Sequence, residues 1–209
     1  MVIGVLDYGS GNLKNVCRAI EYLGFQHTVV TSPADVLKVH KLMIPGVGAF
    51  KVAMEQLNKM KLIEPIKEVA NKGTPVLGIC LGMQLLFEKS SEFGITEGLG
   101  LLSGSVNLIP SFGLYGHRLK VPHIGWSALI LDDRDSEIVK NVQPDDTAYF
   151  VHSYIAEDYS AEDLVAHCIY DGLILPAVVR KNNIIGCQFH PEKSGELGLE
   201  IFKNFLRMN

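Results

Sequence analysis

The segment Gly78-Ile79-Cys80-Leu81-Gly82 limits the folds open to this chain more than any other stretch. It joins an apolar run, Pro75 to Ile79, to a second one, Met83 to Phe87. The first reads as a buried strand and the second as a helix. Glycines on both sides of Cys80 let the backbone turn sharply and leave the thiol exposed on the turn. That is the arrangement of a nucleophile elbow, with cysteine where many hydrolases carry serine. The helix that follows aims its free N–H groups and positive dipole end at the sulfur, a setting that suits a nucleophile.

The rest of the first half alternates in the same way. Val2 to Asp7 is a short apolar run that ends in a carboxylate and a Gly-Ser-Gly turn. Asn12 can cap a helix running to about Leu23, and Gly24 ends it. Gln26 to Val30 and Lys41 to Pro45 read as strands, Ala49 to Met60 and Ile63 to Asn71 as helices. This βαβα order implies a mainly parallel sheet with helices on both faces. From Leu101 onward the strands are shorter and the turn signals denser. Leu164 to Tyr170, Asp171-Gly172 and Leu173 to Arg180 read as a hairpin. Lys181-Asn182-Asn183 turns the chain into Ile184 to Phe189, and an amphipathic helix from about Glu196 to Leu206 follows. With no repeat and no linker, the expectation is one α/β domain over residues 1–209. Its mainly parallel central sheet is flanked by helices and carries a smaller antiparallel extension in the second half.

Composition fits that expectation. The 209 residues are 47% apolar and 20% charged, enough to fill a core and too apolar for disorder. The net charge of −4 gives no basic footprint for nucleic acid. No apolar run reaches membrane-spanning length, and the N-terminus lacks a basic, small-residue leader. A cytoplasmic protein with neither nucleic acid nor membrane as partner is expected. Cys17, Cys80, Cys168 and Cys187 are widely spaced with no C-x-x-C pair, so neither a zinc site nor a redox couple is expected.

A second chemical element is Gln188-Phe189-His190-Pro191-Glu192. Pro191 biases His190 toward an extended backbone. Residues two apart in an extended chain share a face, so His190 and Glu192 point one way, Phe189 and Pro191 the other. A carboxylate that orients an imidazole, which in turn activates a nucleophile, is the logic of a catalytic triad. Taken singly, a buried cysteine is ordinarily inert packing and a lone histidine ordinarily structural. Together they point to covalent catalysis. A third element, Pro45-Gly46-Val47-Gly48-Ala49-Phe50, lies between a strand and a helix. Its glycines let backbone N–H groups turn toward a ligand, as a developing oxyanion requires. Gly9-Ser10-Gly11 starts like a dinucleotide fingerprint, but Lys14 stands where the third glycine belongs, so it reads as a tight turn beside the same cleft.

At Pro45-Gly46-Val47-Gly48, Gly78 to Gln84 and Phe189 to Ser194 the chain resembles the class I (triad) glutamine amidotransferases. Within them it is most similar to the glutaminase subunits of imidazole glycerol phosphate synthase. Asp7 to Leu13, Gln84 to Glu88, Val121 to Trp126 and Tyr149 to Tyr154 carry that narrower likeness. The resemblance implies Cys80 as nucleophile, His190 as base and acid, and Glu192 as its orienting carboxylate. It implies an oxyanion hole from backbone N–H groups near Gly48 and Leu81. It implies that Gln84, Glu92, Ser153 and Tyr154 hold L-glutamine, with no metal and no organic cofactor. Because the chain has no room for a synthase, it also implies a heterodimer with a (β/α)8-barrel cyclase or synthase subunit that receives the ammonia. Pro122, His123 and Trp126 match the segment that faces this partner. The resemblance also implies that the Gly46–Val47 peptide turns its N–H away until the partner is loaded. Ser127 departs from the family's asparagine after Gly-Trp. That keeps a second acceptor open, an amidotransferase of surface-polysaccharide sugars fed by a paralogous glutaminase. A cysteine peptidase or redox sensor would need neither Gln84 nor His-Pro-Glu, and a catalytically dead subunit would not need an intact triad.

Overall fold

The computed structural model describes residues 1–144 and 146–208. In its first half the strands are β1 (Ile3–Leu6), β2 (Thr28–Val30), β3 (Lys41–Gly46), β4 (Val76–Cys80), β5 (Lys89–Ser90) and β6 (Thr96–Glu97). In its second half they are β7 (Ser105–Leu108), β8 (His123–Ala128), β9 (Ile130–Leu131), β10 (Thr147–His152), β11 (Tyr154–Glu157), β12 (Leu164–Tyr170), β13 (Leu173–Lys181) and β14 (Ile184–Cys187). The helices are α1 (Leu13–Tyr22), α2 (Pro33–Val36), α3 (Phe50–Lys59), α4 (Ile63–Asn71), α5 (Leu81–Leu85) and α6 (Gly195–Arg207).

Among the described residues the main sheet has eight strands in the order β2-β1-β3-β4-β14-β13-β12-β9. The first five run parallel, and the last three continue antiparallel. The parallel strands are apolar on both faces. Ile3 and Val5 of β1, Met43 of β3 and Leu77 and Ile79 of β4 enter one core. Leu6, Leu42, Ile44 and Val76 enter the other. A strand of this kind must be covered twice. Helices α1 and α6 cover one face with Val16, Ile20, Ile201, Phe202 and Phe205. Helices α3, α4 and α5 cover the other with Leu57, Ile66, Val69 and Leu85. Each such side chain contributes roughly 1.5–3 kcal/mol on burial, so a few of them offset a strained turn elsewhere.

The antiparallel hairpin of β12 and β13 closes through Asp171 (φ 48°) and Gly172 (φ 80°), both left-handed as a two-residue turn of this twist requires. Among the described residues there are two smaller sheets, the ribbon β10-β8 and the four strands β11-β7-β5-β6. The expected architecture is thus the observed one, and α3, α4, α6 and the hairpin fall within a residue or two of their sequence-based limits.

Three local readings differ. The helix after Cys80 spans Leu81–Leu85 rather than Met83 to Phe87. To reach Phe87 the helix needs the Glu88 N–H on the Gln84 carbonyl, but Glu88 donates to the Gly104 carbonyl, and Leu86 and Phe87 bond only three residues back, to Met83 and Gln84. Asn12 does precede α1, but its backbone is left-handed (φ 77°) and its side chain makes no cap. Pro191–Lys193 is a 3-10 turn, with only His190 extended before it. Proline suits the first position of a helical turn, and here that preference outweighs continuation of the strand. Among the described residues no helix is long and apolar enough to cross a membrane.

Candidate active site

Strands β3, β4 and β14 end side by side, and their exits build a cleft of about 320 Å³. It is lined by Val47, Gly48, Cys80, Leu81, Gln84, Glu92, Pro122, Val151, His152, Ser153, Tyr154 and His190. That size suits one small molecule rather than a polymer segment.

Cys80 is the hinge of the β4–α5 turn. Its φ of 54° with ψ −111° is a conformation that non-glycine residues adopt only at a cost of about 1–3 kcal/mol. The strain is enforced by close packing. A Cβ at Gly82 would collide with the Ile44 carbonyl of β3, and one at Gly78 would meet the Gly82 backbone. The two glycines therefore let β3, β4 and α5 approach closely enough to fix the thiol at the floor of the cleft. Cys80 is 7% exposed.

His190 arrives from the exit of β14, and three backbone-linked bonds hold it. Its N–H donates to the Tyr149 carbonyl. Its own carbonyl accepts from Ser194 Oγ at 2.7 Å, and Ser194 Oγ accepts from the Tyr149 N–H at 2.9 Å. The ring Nδ1 lies 2.7 Å from Glu192 Oε1, with both side chains at most 1% exposed. Nδ1 therefore carries the proton toward the carboxylate. The other ring nitrogen, Nε2, is buried with no hydrogen-bond partner among the described residues, and it is left for the Cys80 thiol. Burial opposes the imidazolium. The hydrogen-bonding and charge of Cys80 and Glu192 outweigh it and lift the His190 pKa to about 9.

The other expected residues fall around this pair. Gln84, 6% exposed, donates its Nε2 to the Tyr154 carbonyl at 3.2 Å and to Gln188 Oε1 at 3.1 Å. Glu92 sits at the cleft edge, and its Oε2 accepts the Phe50 N–H at 2.6 Å. It thus serves the first turn of α3, whose preceding residue, Ala49, has no capping side chain. The Ser153 carbonyl is taken by the Ile109 N–H, at 2.8 Å. Gly48 (φ 108°) and Leu81 both line the cleft with the thiol. The Val47 N–H is committed elsewhere, donating to Ser10 Oγ at 2.9 Å while Ser10 Oγ–H reaches the Val47 carbonyl at 3.2 Å.

On the β8–β10 ribbon, Trp126 is 56% exposed and packs edge-on against Tyr149. Pro122 is exposed too. His123 is not on that surface. It is 3% exposed and turned inward, because alternation along β8 sends Ile124 and Trp126 out and His123 in. Its Nδ1 lies 3.1 Å from His152 Nε2, and its Nε2 3.0 Å from Ser127 Oγ. His152 Nδ1 lies 2.9 Å from the Tyr154 carbonyl. Burial pushes the His152 pKa down to about 3, so it is neutral and donates from Nδ1. His123 then donates to His152, and the Ser127 hydroxyl donates to His123. The hydroxyl at Ser127 thus ends a chain of hydrogen bonds that leads to the cleft.

Sequence reading missed Gln188, whose Nε2 points at Cys80 Sγ from 4.0 Å. Its place two residues before His190 on an extended run could have revealed it. It also missed His152 at the cleft and Asn12, whose Nδ2 reaches Glu192. Chemically, the cleft offers a thiol, an imidazole held by a buried carboxylate, and backbone donors at glycine turns. Those are the parts for acyl transfer from an amide.

Comparison with known proteins agrees. The chain matches the family "Glutamine amidotransferase class-I" over residues 4–208. It is 44% identical over 210 residues to the imidazole glycerol phosphate synthase subunit HisH 1 of Legionella pneumophila (strain Lens), covering 99% of both chains. It is 46% identical over 204 residues to the HisH subunit of Geobacillus sp. (strain WCH70), covering 98% of this chain and 95% of that one. Its fold is that of a solved glutamine amidotransferase (TM-score 0.75, 18% identity, covering 99% and 97% of the two chains). It is also like a chain in the structure of PurLQS from Thermotoga maritima (TM-score 0.71, 20% identity, 98% and 97%). With its cleft built at the same strand ends that carry its family motifs, the chain belongs to the class-I glutamine amidotransferases.

Proposed function

We propose that this chain is the glutaminase subunit of an imidazole glycerol phosphate synthase, a single amidotransferase domain over residues 1–209 working in the cytoplasm. The observation that carries the reading is the buried His190–Glu192 pair at 2.7 Å beside a strained elbow thiol, in a cleft shared with Gln84. The full-length HisH relatives at 44% and 46% identity support the choice of enzyme.

In this mechanism the Cys80 thiol gives its proton to His190 Nε2 and its sulfur attacks the side-chain amide carbon of L-glutamine. N–H groups near Gly48 and Leu81 stabilise the oxyanion, the Val47 N–H being the donor on the Gly48 side, and each such donor is worth about 10²–10³ in rate. The imidazolium, favoured by its raised pKa, protonates the departing nitrogen, and ammonia leaves. Water activated by the neutral imidazole then attacks the γ-glutamyl thioester. Glutamate is released and the proton returns to the thiol. Glu192 keeps the ring in the required tautomer throughout. Gln84, whose Nε2 is already bonded, offers its oxygen to the amino-acid end of the substrate, which Glu92, Ser153 and Tyr154 also hold. The thiol and fixed dipoles suffice, so no metal or cofactor is required.

The ammonia goes to a (β/α)8-barrel cyclase subunit in L-histidine biosynthesis, bound as a heterodimer across Pro122, Ile124 and Trp126 beside the cleft mouth. Exposed aromatic anchors next to a cleft suit such a contact. While the Val47 N–H is held by Ser10, one oxyanion donor is out of use, and docking of the loaded partner releases it. The test is glutamate release from glutamine, alone and with an acceptor-loaded barrel subunit. Activity that rises with that partner and vanishes in Cys80→Ala is expected. Equal rates with and without partner contradict the gating, and persistence in Cys80→Ala contradicts the mechanism.

A further inference from the structure

Asn12 lies at the start of the chain, yet its side chain ends at the triad. Its Nδ2 is 2.6 Å from Glu192 Oε1 and 3.2 Å from His190 Nδ1. Nδ1 spends its proton on Glu192 Oε1 and so has no lone pair in that direction. The amide donor therefore belongs to the carboxylate. Asn15 Nδ2 donates to Asn12 Oδ1 at 2.9 Å. Reversing the amide would face Oδ1 against a carboxylate oxygen and one NH2 group against another, so its orientation is fixed at both ends.

The carboxylate depends on this contact. Glu192 has a fully buried side chain, and its Oε2 has no partner among the described residues. Oε1 thus receives both donors, His190 and Asn12. The backbone is arranged accordingly. A residue before a helix is ordinarily extended and bonds its own first turn. Asn12 is instead left-handed and leaves its helix uncapped. Asparagine, aspartate and glycine are the residues that tolerate that conformation.

We propose that Asn12 is a positioning residue of the triad: its amide holds Glu192 Oε1 at the place from which that oxygen orients His190. It acts through Glu192 and touches neither the substrate nor the thiol. The proposal deepens the glutaminase reading and rests on it for one of its two assays.

Asn12→Gly and Asn12→Asp both keep the left-handed turn while removing the amide donor. A purely conformational role therefore predicts normal activity in both. Loss of a hydrogen bond to a buried charge predicts instead that kcat for glutamine hydrolysis falls about 10- to 100-fold in Asn12→Gly, with KM nearly unchanged. Asn12→Asp falls further, because it sets a second carboxylate against the first. The second assay needs no glutamine: alkylation of Cys80 by iodoacetamide, followed on the Cys80 peptide by mass spectrometry. It slows in the same order, with thermal melting of the full chain checking that each variant is folded. Wild-type kcat and alkylation rates in folded variants of both kinds overturn the proposal. Should the wild-type protein release no glutamate even with an acceptor-loaded barrel subunit, the glutaminase reading falls, while the order of alkylation rates still decides the role of Asn12.

Discussion

The exits of β3 and β4 are neighbours in one sheet, yet they hold their functional groups in opposite ways. At β4 the Cys80 turn is clamped by backbone. Gly82 lies against the Ile44 carbonyl, Gly78 against Gly82, and the thiol keeps a left-handed φ that only such packing sustains. At β3 the Val47 turn is 41% exposed, and a single serine hydroxyl ties its peptide. The nucleophile is built into the core, whereas the donor that would face the oxyanion hangs on one exchangeable hydrogen bond. Under the proposed mechanism a site divided this way would stay armed but idle. Rigid packing preserves reactivity, and a weak tether is what a partner can break.

The largest effect expected from this contrast is on folding. Gly82→Ala drives a Cβ into the β3 backbone, which cannot step aside, and should cost about 3–5 kcal/mol or prevent folding. Gly48→Ala has open space around it and pays only for its positive φ, about 1–2 kcal/mol. Urea melts of the two variants measure the difference, and similar losses would erase the distinction between the turns. Next in size is Glu192→Gln, which takes the charge from the buried pair. Glu192 helps raise the His190 pKa from 6.5 to about 9, so its removal moves that value down. The alkaline limb of kcat/KM, expected near pH 9 in the wild type, should move to lower pH in Glu192→Gln. A pKa raised on folding stabilises the fold below about 6.5 and loses that gain as pH climbs through about 9. The fall in melting temperature between those pH values is therefore smaller in Glu192→Gln, and an unchanged limb and melt would remove Glu192 from its role. Smallest is Ser10→Ala. Freeing the Val47 N–H should raise the partner-free glutaminase rate by several-fold, toward the partner-stimulated rate, with stability changed by no more than about 1 kcal/mol. An unchanged basal rate would mean that the tether does not hold the site idle.

How much of this was legible in the sequence follows from the range of each signal. The elbow, the βα alternation and the Asp171-Gly172 hairpin are local patterns, and local patterns survive folding. Asn12 shows the limit. A capping residue before a helix is a local signal, but the partner that claims its amide, Glu192, is 180 positions away. His123 shows another. Which residues of a ribbon face outward depends on what lies beneath, here Phe150 and His152. The helix after Cys80 was read too far because the Glu88 N–H that would extend it is taken by the Gly104 carbonyl, a tertiary event. Strands of two residues, Lys89–Ser90 and Thr96–Glu97, carry no period to read. The His190–Glu192 contact was expected for the wrong local reason: a 3-10 turn makes it, not a straight strand.

Protein quenched in acid during glutamine turnover, digested and weighed, reports the covalent step at the elbow. Thioester chemistry at the clamped thiol predicts a γ-glutamyl adduct on the Cys80 peptide that is absent without glutamine and absent from Cys80→Ala. Glutamate release with an unmodified Cys80 peptide at every quench time, and undiminished in Cys80→Ala, would contradict it.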